Sequence, residues 1–252
     1  MHADDRGKAP SPRDCRQPCS IMDRSHSGNA LPDGVGVAYA CSMDMKVIAV
    51  GAFEVNCVVL WSDPSQAWII DPGADAPTIE AFLQERQLQV AQVVCTHGHI
   101  DHLSALGALL ANHPVPVWMH AEDAKWAFMP VNRLPPAYPE MAHRPPQLRT
   151  AMQDGQILEM GGLQAEIICT PGHTPGGVCL YFRQDGVLLS GDTLFAGSVG
   201  RTDLRGGDSR RLRESLARLL ELDDATRVVP GHGPQTTIGD ERRENPYLVR
   251  RV

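Results

Sequence analysis

The sequence of 252 residues predicts an α/β fold with two sheets flanked by helices. Apolar strand patterns joined by turn residues recur in both halves of the chain, and helical spacings are interspersed among them in both halves. The length suffices for one sizeable core, and 42% apolar with 21% charged residues is ordinary globular composition.

Residues 1–44 are rich in Asp, Arg, Ser, Pro and Gly and lack any 2.0 or 3.6 periodicity. They are expected to be a disordered extension or an upstream mis-start, with the folded domain spanning 45–252. Residues 47–50, 57–61 and 68–70 read as hairpin-connected strands, with Asp63-Pro64-Ser65 turning between the last two and Asp71-Pro72-Gly73 ending the third. Residues 76–87 carry helical spacing through Ile79, Phe82 and Leu83. The apolar run 88–96 reads as a buried strand, and 102–113 as a helix with Leu103, Leu106, Leu109 and Leu110 on one face. A strand over 115–120 and a short helix over 122–128 follow. Six prolines between 129 and 150 deny backbone donors and predict a long surface loop, with Trp126, Phe128, Tyr138 and Met141 as candidates to line a groove. A mere connector is the alternative. Strands are predicted at 157–160, 163–170, 178–182, 187–190 and 227–229, an amphipathic helix at 209–222 and a last helical turn at 240–245.

The net charge of −7 gives no general basic field for a phosphate backbone, so nucleic acid is not an expected partner. No run approaches the roughly 20 apolar residues of a membrane span, and neither membrane association nor secretion is expected. Seven cysteines are an odd number, and Cys57, Cys95, Cys169 and Cys179 sit in apolar stretches, as expected of a reduced, cytoplasmic protein.

The chemistry starts at His97-Gly98-His99-Ile100-Asp101-His102, directly after the run 88–96. Imidazole and carboxylate are donors that zinc, iron and manganese take. His173, Asp192 and His232 also follow apolar strands, each with a glycine just before it that allows a tight turn or close approach. Five imidazoles and two carboxylates exceed the needs of one tetrahedral ion and predict a binuclear site. His2, His26, His113, His120 and His143 lack the glycine-turn setting and read as structural or exposed.

The H-x-H-x-D-H motif followed by spaced His, Asp and His resembles the metallo-β-lactamase superfamily, over residues 45–245. Gly191-Asp192-Thr193-Leu194-Phe195, Gly200-Arg201-Thr202-Asp203 and Pro230-Gly231-His232-Gly233-Pro234 are similar to its glyoxalase II-like branch, in particular the small single-domain members. The resemblance implies an αββα sandwich, with His97, His99 and His173 on one metal, Asp101, His102 and His232 on a second, and Asp192 bridging. Asp101 and Asp192 are thereby the carboxylates of the catalytic centre, although Asp101 has a positioning role as its alternative. Two divalent ions are implied, zinc first and iron or manganese next. Arg201 matches a basic residue that holds a glutathione carboxylate in that branch, the alternative being an ion pair with Asp203. Asp203 stands where tyrosine is typical of full-length glyoxalase II, and the 20 residues after His232 are too few for that enzyme's C-terminal helical domain. Asn56 and Cys57 are expected to be structural, Asn56 bonding a turn backbone near the site.

Two cations sharing one water bring its pKa toward neutrality, which makes a nucleophile at pH 7. A thiol pKa near 8.5 lets a thiolate leave without a protein acid. The expected activity is therefore hydrolysis of a small-molecule thioester of the S-lactoylglutathione type. A mononuclear-iron persulfide dioxygenase is the alternative, followed by a lactonase and a non-catalytic metal-binding protein. β-Lactam hydrolysis is disfavoured by Asp192 and by the lack of an export signal, and the sequence is silent on oligomeric state.

Overall fold

A computed structural model describes residues 43–249. The first sheet holds β1 (Asp44–Val50), β2 (Val55–Trp61), β3 (Ala67–Ile70), β4 (Val90–Val94), β5 (Val117–Trp118) and β6 (Leu148–Arg149), in that order. The second is built from β7 (Ile157–Met160), β8 (Leu163–Cys169), β9 (Val178–Phe182) and β10 (Val187–Gly191). After a small hairpin, β11 (Leu194–Phe195) and β12 (Ser198–Val199), come β13 (Arg227–Pro230) and β14 (Thr236–Thr237), giving the order β14-β13-β10-β9-β8-β7. Both sheets are mixed: β3 to β6 run parallel to one another, as do β10 and β13, while the other pairs are antiparallel.

Strand alternation sorts the apolar side chains into three layers. Val58, Leu60, Trp68 and Ile70 point from the first sheet toward Ile167, Leu180, Phe182 and Leu189 of the second, which forms the central core. Their neighbours Cys57, Val59 and Ile69 face the opposite way, onto α1 (Ala76–Glu85) and α2 (Leu106–Asn112). After the short α3 (Ala121–Ala124) comes α4 (Ser209–Leu219), whose Leu212, Leu216 and Leu219 cover Cys179, Tyr181 and Leu188, with α5 (Ile238–Glu244) beside it and α6 (Pro246–Val249) after it. The inner strands β2, β3, β9 and β10 are buried almost throughout because both of their faces are covered, while the outer strands β1 and β7 alternate buried and exposed residues. The result is an αββα sandwich.

Several local expectations change. The run 88–96 is strand only over Val90–Val94, because Cys95 and Thr96 already turn toward the histidine segment. Residues 102–113 do not form one helix: a 3-10 turn at Ile100–His102 precedes α2, and the Ser104 hydroxyl donates to Ile100 O at 2.8 Å across the break. The 129–150 loop is irregular as its prolines predict, yet it contains a 3-10 turn at Pro130–Asn132 and ends in β6. The helix expected over 122–128 starts at Ala121 and its α-helical part stops at Ala124, and that expected to 222 stops at Leu219. The β11–β12 hairpin, β14 and α6 have no counterpart in the sequence reading. The first strand starts at Asp44, and the expectation for the segment before Met43 lies outside the described residues. No described helix is long and apolar enough to cross a membrane.

Leu180 is fully buried between the sheets. Leu180→Ala is expected to lower unfolding stability by roughly 3 kcal/mol through lost burial plus a cavity, read as a lower urea midpoint for the metal-free protein.

Candidate metal centre

The parallel strand pairs gather the site. Asp71 follows β3 and the His97–His102 segment follows its parallel neighbour β4, so both emerge at one sheet edge. Asp192 and His232 likewise follow the parallel pair β10 and β13, and His173 follows β8. The two sheets are tied at this edge by Val178 N–H to Thr96 O at 2.9 Å and Asn56 N–H to Gly231 O at 2.7 Å. Two of the glycines have identifiable reasons: Gly191 adopts φ of +48° against the Thr96 side chain, and a Cβ on Gly231 would overlap Asp192 Oδ1.

All seven predicted metal-ligand residues converge. His97, His99 and His173 form one group and Asp101, His102 and His232 another, the ligand atoms within each lying within 4.8 Å of one another. His99 Nδ1 and His173 Nε2 are 2.9 Å apart, and His102 Nε2 and His232 Nε2 are 3.2 Å apart. Asp192 lies between the groups, its carboxylate 3.4 Å from His102 Nε2 and 3.5 Å from both His173 Nε2 and His232 Nε2. Asp101 Oδ2 is 3.4 Å from His232 Nε2 and 3.8 Å from His102 Nε2.

In four of the five rings a bond on the far side leaves the inner nitrogen of the neutral imidazole as an acceptor. His173 Nδ1–H donates to Arg201 O at 2.8 Å and His232 Nδ1–H to Phe53 O at 2.8 Å, so each Nε2 presents a lone pair. His102 Nδ1–H donates to Asp71 Oδ2 at 3.0 Å. Thr96 donates its hydroxyl proton to the same carboxylate at 2.6 Å and so accepts from His97 Nδ1–H at 3.1 Å. His97 Nε2 and Asp192 Oδ1 are buried with no hydrogen-bond partner among the described residues. Lone pairs aimed at one another indoors need a positive occupant. This donor set fits divalent metal ions.

Without such ions, protons compete for the same atoms. Burial and the neighbouring His102 and His99 hold His97 well below the usual imidazole range. Burial and His173 bring His99 down to about 4. Burial opposes protonation of His102 and His232 as well, but the carboxylates of Asp192, Asp101 and Asp71 raise His102 to about 9, and hydrogen bonds to Asp101 and Asp192 raise His232 to about 10. Asp192 is lowered despite its burial, by His102, His232 and His173.

Three supporting residues escape the sequence reading. Asp71 accepts from Thr96 N–H at 2.7 Å as well as from Thr96 Oγ1 and His102, at φ of +49°; the turn Asp71-Pro72-Gly73 at a strand end was its only signal. Asp123, buried behind the loops, accepts from Gly98 N–H at 2.8 Å, Thr174 Oγ1 at 2.7 Å and Gly176 N–H at 2.7 Å, joining the His97–His99 and His173 segments. Asn132 donates to Gly98 O at 2.8 Å and Ala127 O at 2.7 Å. Asn56 does bond a turn, donating to Pro230 O and Gly233 O at 2.9 Å. Of the histidines read as structural or exposed, His113 pairs with Glu80 at 3.0 Å and His120 caps α3; His2 and His26 lie outside the described residues.

A cavity of about 360 Å³ opens over the centre. Trp126 lines it and meets His99 edge-on at 5.5 Å. Tyr138 instead packs behind Phe53 at 5.4 Å and borders a different groove, Phe128 packs against the core outside the cavity, and Met141 is exposed away from it. Arg201 lines the cavity with its guanidinium held bidentately by Asp203, both bonds 2.7 Å.

Because His102 and His232 carry protons at pH 7 that a metal must displace, zinc binding is expected to release protons there, and apparent affinity to rise with pH up to about 9–10. Calorimetry in buffers of different ionisation enthalpy checks this; binding without proton release would contradict the protonation expected of these two imidazoles in the metal-free protein. Asp123→Ala leaves two buried amides unpaired and is expected to cost roughly 3 kcal/mol of stability, seen in urea unfolding of the metal-free protein.

Residues 50–232 match the family model described as the metallo-beta-lactamase superfamily. The chain is 37% identical to hydroxyacylglutathione hydrolase GloC of Haemophilus influenzae over 82% of its own length and 98% of that protein. Among solved structures, BLEG-1 B3 metallo-beta-lactamase is 38% identical with a TM-score of 0.75, covering 82% of this chain and all of the other. TTHA1623, solved in a di-iron-bound form, is 34% identical with a TM-score of 0.70, covering 81% of this chain and 100% of that one. With its αββα sandwich and its His and Asp groups at the sheet edge, this chain belongs to the metallo-β-lactamase superfamily.

Proposed function

We propose that this protein is a binuclear metal-dependent thioester hydrolase acting on S-lactoylglutathione-type substrates, releasing a hydroxyacid and a free thiol. The observation that carries the reading is Asp192, whose carboxylate is within 3.5 Å of imidazoles from both groups. Under it, His97, His99 and His173 hold one ion, Asp101, His102 and His232 the other, and Asp192 serves both. The likeness to a hydroxyacylglutathione hydrolase supports the substrate class. Zinc is the proposed metal, and the same nitrogen and oxygen donors accommodate iron or manganese. Free thiols at Cys57, Cys95, Cys169 and Cys179 support a cytoplasmic setting.

When bound, two divalent ions would supply Lewis acidity, lowering the pKa of water and stabilising negative charge on a carbonyl oxygen. The chain's own residues do the rest. Asp71, Phe53 O and Arg201 O hold the rings of His102, His232 and His173, which preserves the inward nitrogens as acceptors. Phe53 and Trp126 wall the cavity and limit water at the reacting carbonyl. Among the described residues its lining offers no carboxyl group other than Asp101 and Asp192, and its imidazoles belong to the proposed ligand set, an arrangement suited to a thiolate that departs unprotonated.

One preparation tested with S-lactoylglutathione, glutathione persulfide under an oxygen electrode, a lactone and a β-lactam distinguishes the family's chemistries. Thioester hydrolysis abolished by chelator and restored by a defined metal is expected, with Asp192→Asn lowering kcat at least about 100-fold. Oxygen uptake with persulfide and an untouched thioester would overturn the reading in favour of the dioxygenase.

A further inference from the structure

The cavity has a floor and a mouth of different character. Its floor is the metal centre, whose Asp101 and Asp192 are the only carboxylates of the lining among the described residues. Its mouth carries Phe53, Val131, Leu134 and Leu204, each 40 to 52% exposed. Single exposed apolar residues are ordinary, but four around one opening mark a surface that meets a ligand.

Set among them are Arg133 and Arg205. Arg201, the third arginine of the lining, already has its charge answered by Asp203. Neither Arg133 nor Arg205 pairs with a carboxylate among the described residues; the one bond of the Arg133 side chain is Nε–H to Pro130 O at 3.3 Å. They come from different loops, and both loops are anchored. Arg133 follows Asn132, which is buried and bonded to Gly98 O and Ala127 O. Arg205 sits in a turn closed by Gly207 N–H to Leu204 O at 3.0 Å, with Asp208 N–H bonded to Gly172 O at 2.8 Å just beyond. Two cations on anchored backbones over one opening, with no carboxylate at its rim among the described lining residues, give that mouth a positive charge suited to an anion.

We propose that Arg133 and Arg205 form a cationic clamp at the cavity mouth that binds an anionic group, carboxylate or phosphate, on the thiol carrier of the substrate. The acyl group then lies toward the floor, while the apolar mouth residues cover the carrier's neutral stretch. This deepens the thioester reading and rests on it for the identity of the carrier. It differs from the role that the family resemblance gives Arg201, because the free charge at this mouth belongs to other residues.

Binding of non-hydrolysable thioethers tests the clamp independently of turnover. S-Propylglutathione, S-propyl-coenzyme A and the uncharged S-propyl-N-acetylcysteamine are titrated into the metal-loaded protein and its Arg133→Ala, Arg205→Ala and double variants. For an anionic carrier, affinity is expected to fall about threefold to fivefold for each substitution and about tenfold for both, with the difference shrinking as salt is raised. The uncharged thioether should bind all four proteins alike. A greater loss with glutathione identifies a carboxylate as the clamped group, and a greater loss with coenzyme A a phosphate. Equal losses with the uncharged probe, or none with either anion, would overturn the clamp. Lactoyl thioesters of the same carriers, assayed in parallel, report on the hydrolase reading separately: if none is hydrolysed, that reading fails while the titrations still decide the clamp.

Discussion

Bare nitrogen and oxygen lone pairs repel one another when brought together away from water, and this protein brings seven donor side chains together. His97 and His102 are 2% and 0% exposed, so solvent cannot relieve them. A fold that lets these rings turn would pair their nitrogens with nearby backbone and lose the site. The structure prevents this from outside the centre. Asp71, Phe53 O and Arg201 O each take the proton on the far nitrogen of one imidazole, fixing tautomer and orientation together. Asp71 restrains a second ring through Thr96, so one carboxylate on a strand end governs His97 and His102 at once.

The sandwich makes such restraint possible. Donors sit where strands leave the sheets, and both faces of each sheet are packed against apolar layers, which gives those strand ends a rigid base. Parallel pairing matters because it places the ends of neighbouring strands at the same edge, as for β3 with β4 and β10 with β13. Asp123 then couples two of the resulting loops. Its three bonds reach Gly98, between two ligand-type histidines, and Thr174 and Gly176, beside a third. Burial raises its pKa even though those bonds act against the rise, so the carboxylate is held where solvation would not favour it.

What the sequence made legible follows from the same physics. The donor residues were readable because each requires a special local backbone, and glycine leaves that trace at 172, 191 and 231. Strands buried on both faces were readable as apolar runs, and α4 by its leucines at helical spacing. Asp71, Asp123 and Asn132 were not, because each bonds residues 25 to 53 positions away, and no periodicity records such contacts. Asp123 looked like one more acidic residue on a short helix. The two-residue strands β6 and β14 were equally invisible, since so short a strand is defined by its neighbour rather than by its own side chains.

Floor and mouth of the cavity are therefore under different constraints. A substitution among the buried floor residues disturbs a network in which each proton has one place to go, and the damage spreads to neighbouring rings. The mouth is built from exposed positions on loops, where most substitutions change stability by no more than about 0.5 kcal/mol. One metal centre can thus be kept while the surface that meets the substrate's tail is rewritten. Chains that share this sandwich need not share substrates: proteins named for hydroxyacylglutathione hydrolysis and for β-lactam chemistry both align over about four-fifths of this one. If the proposed clamp holds, reaction type is set at the strand ends and substrate choice by the loops that carry Arg133, Leu134, Leu204 and Arg205.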